Sequence, residues 1–121
     1  MSNLPLDSLR AYLSSKKGVT EETPFGPDAL VFKVMGKMFA LLAWQADPLR
    51  ITLKCDPDDA LALRQQYPAV QSGYYMNKRR WNTVTLDGSI PEAELLEMID
   101  DSYALVVRGL KKALREQLVE L

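Results

Sequence analysis

The sequence predicts an α+β domain of two layers, an antiparallel sheet with helices on one face, in the order α-β-β-β-α-β-β-α. Three observations predict it. LRITLKC (49–55) alternates without a break, so Ile51, Leu53 and Cys55 point to a core while Arg50, Thr52 and Lys54 point to water. ALVFKVM and MFALLAW are joined by Gly36-Lys37, a connection of hairpin length. Leu95, Ile99, Ser102, Val106 and Leu110 recur at three- and four-residue steps, the period of a helix with one buried stripe.

In chain order, Asn3 is placed to cap a first helix, with Pro5 and Asp7 in its opening turn, Leu6, Leu9 and Leu13 on its apolar side and Lys16-Lys17-Gly18 closing it. TEETPFGPD (20–28) reads as a loop because it holds two prolines and a glycine. The hairpin follows, then a turn at Ala46-Asp47-Pro48 and the alternating strand 49–55. Asp56 caps the second helix, Pro57 occupies its first position, and Pro68 stops it after Tyr67. A short strand over 70–76, weakened by Gly73, precedes a clearer one at WNTVTL (81–86). Ser89 and Glu92 have the spacing of a capping box around Pro91 and open the long acidic helix. Gly109 kinks or ends that helix, and a last amphipathic piece carries Leu114 and Leu118.

At 121 residues and 47% hydrophobic, the chain fits a single domain over 1–121 with a core of its own. No apolar run approaches the roughly 18 residues of a membrane span. The N-terminal MSNLPLDSLR has neither a basic nor an apolar leader segment, so a secretory signal is not expected. One cysteine excludes an intramolecular disulfide and suits a reducing cytoplasm. The net charge of −1 conceals an asymmetry. Residues 29–81 carry eight Lys and Arg against four Asp, a balance of +4, whereas residues 82–104 carry six acids and no cation.

Histidine is absent, which removes Ser-His-Asp, Cys-His and His-based zinc chemistry from this chain alone. CDPDD (55–59) lacks the glycine and distant glutamate of a calcium loop and reads as carboxylates at a helix N-terminus. Gly36-Lys37 lacks the frame of a phosphate loop. Cys55 alternates inward with Leu53 and reads as core. Asp100 and Tyr103 are neighbours at one helical step, and a buried tyrosine bonded to a nearby group is an ordinary arrangement. No catalytic residue, metal site or cofactor is expected.

The wet side of the sheet carries more information. Alternation turns Lys33, Arg50, Lys54, Thr52, Trp81, Thr83 and Thr85 outward, with Asn77, Lys78, Arg79 and Arg80 in the turn at its rim. Cations that hold phosphates beside an aromatic that stacks are what sheet-based nucleic-acid binders use. Lys and Thr on the solvent side of strands are equally routine, and three cations in a turn also read as a solvated turn.

TPFGPDALVFKVMGKMFALLAW, LKCDPDDALALRQQYPAV, GYYMNKRRWNTVTLDGSIP and MIDDSYALVV together resemble the MmcQ/YjbR family of small bacterial proteins, over about residues 5–115. Asn77, Lys78 and Trp81, followed by Asp87-Gly88 and Pro91, carry the most specific part of the likeness. The resemblance implies a cytoplasmic single domain with the element order above. It also implies a DNA-binding role, through likeness to a "double wing" fold, and no enzymatic activity. Members often have histidine where Tyr75 and Asp101 stand here. The leading expectation is a DNA-binding module gripping phosphates through Lys33, Arg50, Lys54, Lys78, Arg79 and Arg80, with Asn77 and Trp81 beside them. The alternative is a protein-interaction module, chaperone-like or homodimerising, in which the acidic helix meets the basic face. A small-ligand site has the Tyr74, Tyr75, Asn77 and Trp81 cluster and the Asp100–Tyr103 group behind it.

Overall fold

The computed structural model describes residues 5–73 and 77–121. The elements are α1 (Leu6–Ser14), β1 (Val19–Glu22), β2 (Leu30–Val34), β3 (Lys37–Ala43), β4 (Arg50–Lys54), α2 (Pro57–Gln66), β5 (Val70–Ser72), β6 (Trp81–Thr85), α3 (Glu92–Arg108) and α4 (Lys112–Val119). The strands form one antiparallel sheet in the order β1-β2-β3-β4-β6-β5. The fold is the α+β class expected, with one strand more and with the last amphipathic piece standing as a helix of its own, α4.

That strand, β1, takes Val19 and the first three residues of the stretch 20–28 read as a loop. Val19-Thr20-Glu21-Glu22 is short and acidic, and its last three residues are exposed, so burial leaves no alternating signature in it. Pairing with β2 holds it, from Val19↔Val34 to Glu22↔Val31. The hairpin also turns one residue earlier than Gly36-Lys37. Val34 pairs with Lys37, and the two residues between them, Met35 and Gly36, both have positive φ (49° and 85°). Positive φ at both central residues is the backbone of a type I′ turn, whose twist matches that of the strands.

Helix termini divide between expectation and correction. Asp56 does cap α2, its side chain accepting the Asp58 N–H at 3.2 Å, with Pro57 opening the helix. The Ser89–Glu92 capping box does not form. Asp87 Oδ1 captures both the amide and the hydroxyl of Ser89 (3.0 and 2.5 Å), and Pro91 stands directly before α3. Asn3 lies outside the described residues, and α1 begins just after Pro5. Gly109 ends α3, and Leu118 of α4 packs into the core. Gly18 makes that packing possible: a Cβ there would sit 2.5 Å from Leu118 Cδ1, and its φ of +75° is itself a glycine conformation.

The helices cover one face. Leu30, Phe32, Ala40, Leu42, Ile51, Leu53 and Val84 of the sheet meet Leu9 and Leu13 of α1 and Leu95, Met98, Ile99 and Val106 of α3. Burying each large side chain contributes about 1.5–3 kcal/mol before entropy. A β-bulge at Phe32/Lys33 leaves Phe39 between the pairs Lys33↔Met38 and Phe32↔Ala40. The β3–β4 register begins at Ala40↔Leu53. At the next position Ser102 of α3, fully buried, takes up both strands: its Oγ donates to Phe39 O (2.6 Å) and accepts from Lys54 N–H (2.9 Å). We expect Ser102→Ala to cost about 1–3 kcal/mol in urea unfolding and to speed hydrogen exchange at the Lys54 amide, because a buried donor and acceptor lose their partner together.

Candidate nucleic-acid interface

The open face has the phase that alternation predicts. A row crosses the whole sheet through Glu22, Val31, Leu41, Thr52, Thr83 and Gln71. Arg50 pairs with Thr85 on one side of the row, and Lys54 pairs with Trp81 on the other. The middle is less wet than expected: Val31 is 1% exposed and Thr52 8% exposed, with the Thr52 and Thr83 hydroxyls bonded to each other at 2.8 Å. The open face is therefore dry at its centre and charged towards its ends.

The cations separate into two groups. Lys33 lies beside β1 and its Nζ is 3.2 Å from Glu22, so the strand that sequence reasoning missed supplies a counter-charge there. At the other end, Arg50, Lys78, Arg79 and Arg80 are exposed and Lys54 and Trp81 are half-buried. Cys55 N–H donates to Arg80 O at 2.7 Å, which ties the 77–80 turn to the end of β4. The turn thus brings the triplet to the corner occupied by Lys54 and Trp81.

Asn77 has a structural place in this corner. Its Oδ1 accepts from Arg79 N–H at 3.0 Å, and its carbonyl accepts from the Arg80 and Trp81 amides, both at 3.1 Å. Trp81 is anchored through its backbone, its carbonyl accepting from Gly73 N–H at 2.7 Å, and a Cβ on Gly73 would lie 2.8 Å from Trp81 Cβ. Arg64 of α2 organises the corner from behind and was not singled out from sequence. Its Nε donates to Asn82 Oδ1 (2.7 Å) and its Nη2 donates to the carbonyl of Lys78. Asn82, buried on the helix side, donates in turn to Ala60 O. A cation seven residues into a short helix carries no mark that separates it from a solvated arginine. The Tyr74 and Tyr75 part of the ligand cluster lies outside the described residues.

Two further readings resolve. Cys55 is not a core residue. The strand ends at Lys54, and Cys55 stands half-exposed where α2 and α3 part, its thiol pushed up to about 11 by burial and by Asp59, Asp101 and Asp56. The Asp100–Tyr103 group is a clasp between α1 and α3. Asp100 Oδ1 accepts from Tyr12 Oη (2.7 Å) and from Lys16 Nζ, which lies over the Tyr12 and Tyr103 rings at 5.0 and 5.3 Å. Tyr103 Oη donates to Lys17 O, and its ring meets Phe39 edge-on.

Burial would raise the Asp100 carboxyl, but the hydrogen bonds from Lys16 and Tyr12 and the Lys16 charge outweigh it and hold the group below the usual carboxylate range. The bond to Asp100, burial and the Asp100 charge together push the Tyr12 hydroxyl up to about 12. A depressed native carboxylate adds stability that is full above the ordinary carboxylate range and fades as pH falls through the native value. Asp100→Asn is expected to lower stability by about 0.5–1 kcal/mol at neutral pH, the scale of partly exposed ion pairs. Urea unfolding should show that gap closing in strong acid; a gap of constant size would mean that geometry, not charge, makes the clasp.

The comparisons with known proteins agree with this architecture. The family model described as YjbR matches residues 14–105. The chain is 31% identical to YjbR of Escherichia coli (strain K12) over 118 residues, 98% of this chain and 100% of that one. It is 45% identical to YbdF of Escherichia coli O157:H7 over 89 residues, 74% of this chain and 73% of the relative. Among solved structures, the crystal structure of Deinococcus radiodurans DR2400 superposes with a TM-score of 0.90 at 40% identity, covering 96% of this chain and 88% of that one. A Pseudomonas syringae protein superposes at 0.72 with 28% identity, over 84% of this chain and 98% of that one. Family match, near-complete relatives and shared fold converge, and the chain belongs to the YjbR family.

Proposed function

We propose that the protein binds DNA through its phosphates, using the β4–β6 end of the open sheet face. Arg50, Lys54, Lys78, Arg79 and Arg80 supply the charge, Trp81 supplies an aromatic surface beside Lys54, and Asn77 shapes the turn. The observation that carries this reading is the corner itself: the Lys54↔Trp81 pair and the Cys55–Arg80 bond bring three exposed cations and a half-buried tryptophan together. Lys33 is left out, because Glu22 already neutralises it. The chain acts as a binding module without enzymatic activity, in the cytoplasm, where a single unpaired cysteine is stable. Among the described residues no helix is long and apolar enough to cross a membrane.

Fluorescence anisotropy with labelled duplex and single-stranded DNA across a salt series tests the site. Lys78→Ala/Arg79→Ala/Arg80→Ala alters exposed side chains and is expected to keep the parent melting temperature. It should bind more weakly, and the slope of log K against log salt should become shallower by about 2–3, from the loss of three counterion-releasing charges. Equal affinity and slope in parent and variant would refute this interface.

A second reading, self-association, has its own observation. The basic corner and the helix-side carboxylates Asp59, Glu94, Glu97 and Asp101 give one molecule two surfaces of opposite sign. Under that reading, light scattering shows a mass that rises with protein concentration and returns to the monomer in high salt. A monomer mass throughout the concentration range would exclude it.

A further inference from the structure

The helix layer has a gap. α2 packs over β5 and β6, α3 packs over β2, β3 and β4, and between them a cleft of about 340 Å³ opens onto the sheet. Its floor is largely apolar, made by Leu53 and Val84 with Met98 beside them, and its one amide there, Asn82, is already bonded to Arg64 and Ala60. Its walls carry Asp59 from α2 and Glu94, Glu97 and Asp101 from α3. None of these four carboxylates forms an ion pair among the described residues. Lys54 also borders the cleft, but its place in the strand alternation is on the opposite face, paired with Trp81.

The walls act on one another across the opening. Burial raises the Asp101 carboxyl, and Glu97, Asp100 and Asp59 raise it further; Asp59 reaches it from the other helix. The Cys55 thiol at the end of the cleft feels Asp59 and Asp101 in the same sense. Negative potential is therefore concentrated in a concavity, where a low-dielectric floor focuses it. A cation entering there would gain attraction from both walls and relieve their mutual repulsion.

The shape of the site narrows the class of cation. No group of three or more metal-ligating side chains converges among the described residues, so the carboxylates are spread too widely for a point charge. The floor asks for an aliphatic surface, and the volume lies within the range of small-ligand sites. We propose that the cleft between α2 and α3 binds an aliphatic polyamine, a flexible hydrocarbon chain with ammonium groups at intervals. Its methylenes would lie on Leu53, Val84 and Met98, and its ammonium groups would reach Asp59 on one wall and Glu97 and Asp101 on the other. This goes beyond the DNA interface and does not depend on it, since none of these residues belongs to the basic corner.

Spermidine, titrated into nucleic-acid-free full-length protein with the 78–80 triplet intact, tests the proposal. The expected result is a saturable rise in melting temperature, with methyl NMR shifts centred on Leu53, Leu63, Val84 and Met98. Asp59→Asn/Asp101→Asn relieves like-charge repulsion, which offsets the loss of one first-turn carboxylate on α2, and should still fold, yet bind spermidine about tenfold or more weakly, two wall charges having been removed. Glu116→Gln, a carboxylate on α4 away from the cleft, should leave binding unchanged. Magnesium at equal charge concentration should not reproduce the methyl shifts. The proposal is overturned if binding does not saturate, if the double variant binds like the parent, if magnesium gives the same response, or if the shifts fall elsewhere.

Discussion

Between Phe39 and Lys54 the sheet is joined through a side chain. The bulge leaves Phe39 without a partner on β2, the β3–β4 register reaches only to Leu53, and the hydroxyl of Ser102 accepts from one strand while donating to the other. One small polar side chain thereby fixes the height of α3 above the sheet and the point at which β4 stops. Both surfaces of interest start from that point. The chain leaving Lys54 runs through Cys55, whose amide holds the basic turn, and into the Asp56 cap that sets the direction of α2. A serine serves here because it both donates and accepts in a space too small for a longer group.

Much of the frame was legible because burial on one face writes its period into the sequence. Arg50 to Lys54 and Leu95 to Leu110 kept the phase that alternation and helical spacing assign. Features held by something other than one-sided burial were not legible. β1 is held by its ladder and by ion pairs, so VTEE gives no apolar rhythm. Ser89 had the right spacing for a capping box but a stronger acceptor, Asp87, two residues away. Cys55 continued the alternation on paper after the strand itself had ended.

At the candidate corner, sequence spacing identified the exposed charges but not their scaffold. Arg64 joins α2 to the turn through Asn82 and the Lys78 carbonyl, a link that depends on residues distant in the chain coming together. The same folding step sorts the charges. Residues 77–80 go to the β4–β6 corner, the acids of α3 line the gap towards α2, and Lys33 is retired against Glu22. A chain whose overall charge is near zero thus presents strong local fields, and each field lies against its own structural boundary.

The β1 edge has a consequence for how any partner approaches. An open strand normally invites another backbone to extend the sheet. Here the terminal strand is four residues long, and Glu21 and Glu22 are already committed to Arg10 on α1 and to Lys33 on β2. An incoming strand would meet carboxylates whose counter-ions it would have to displace. Recognition by strand addition is disfavoured along this border, so growth of the sheet from copy to copy is blocked at one of its two edges, the other being β5.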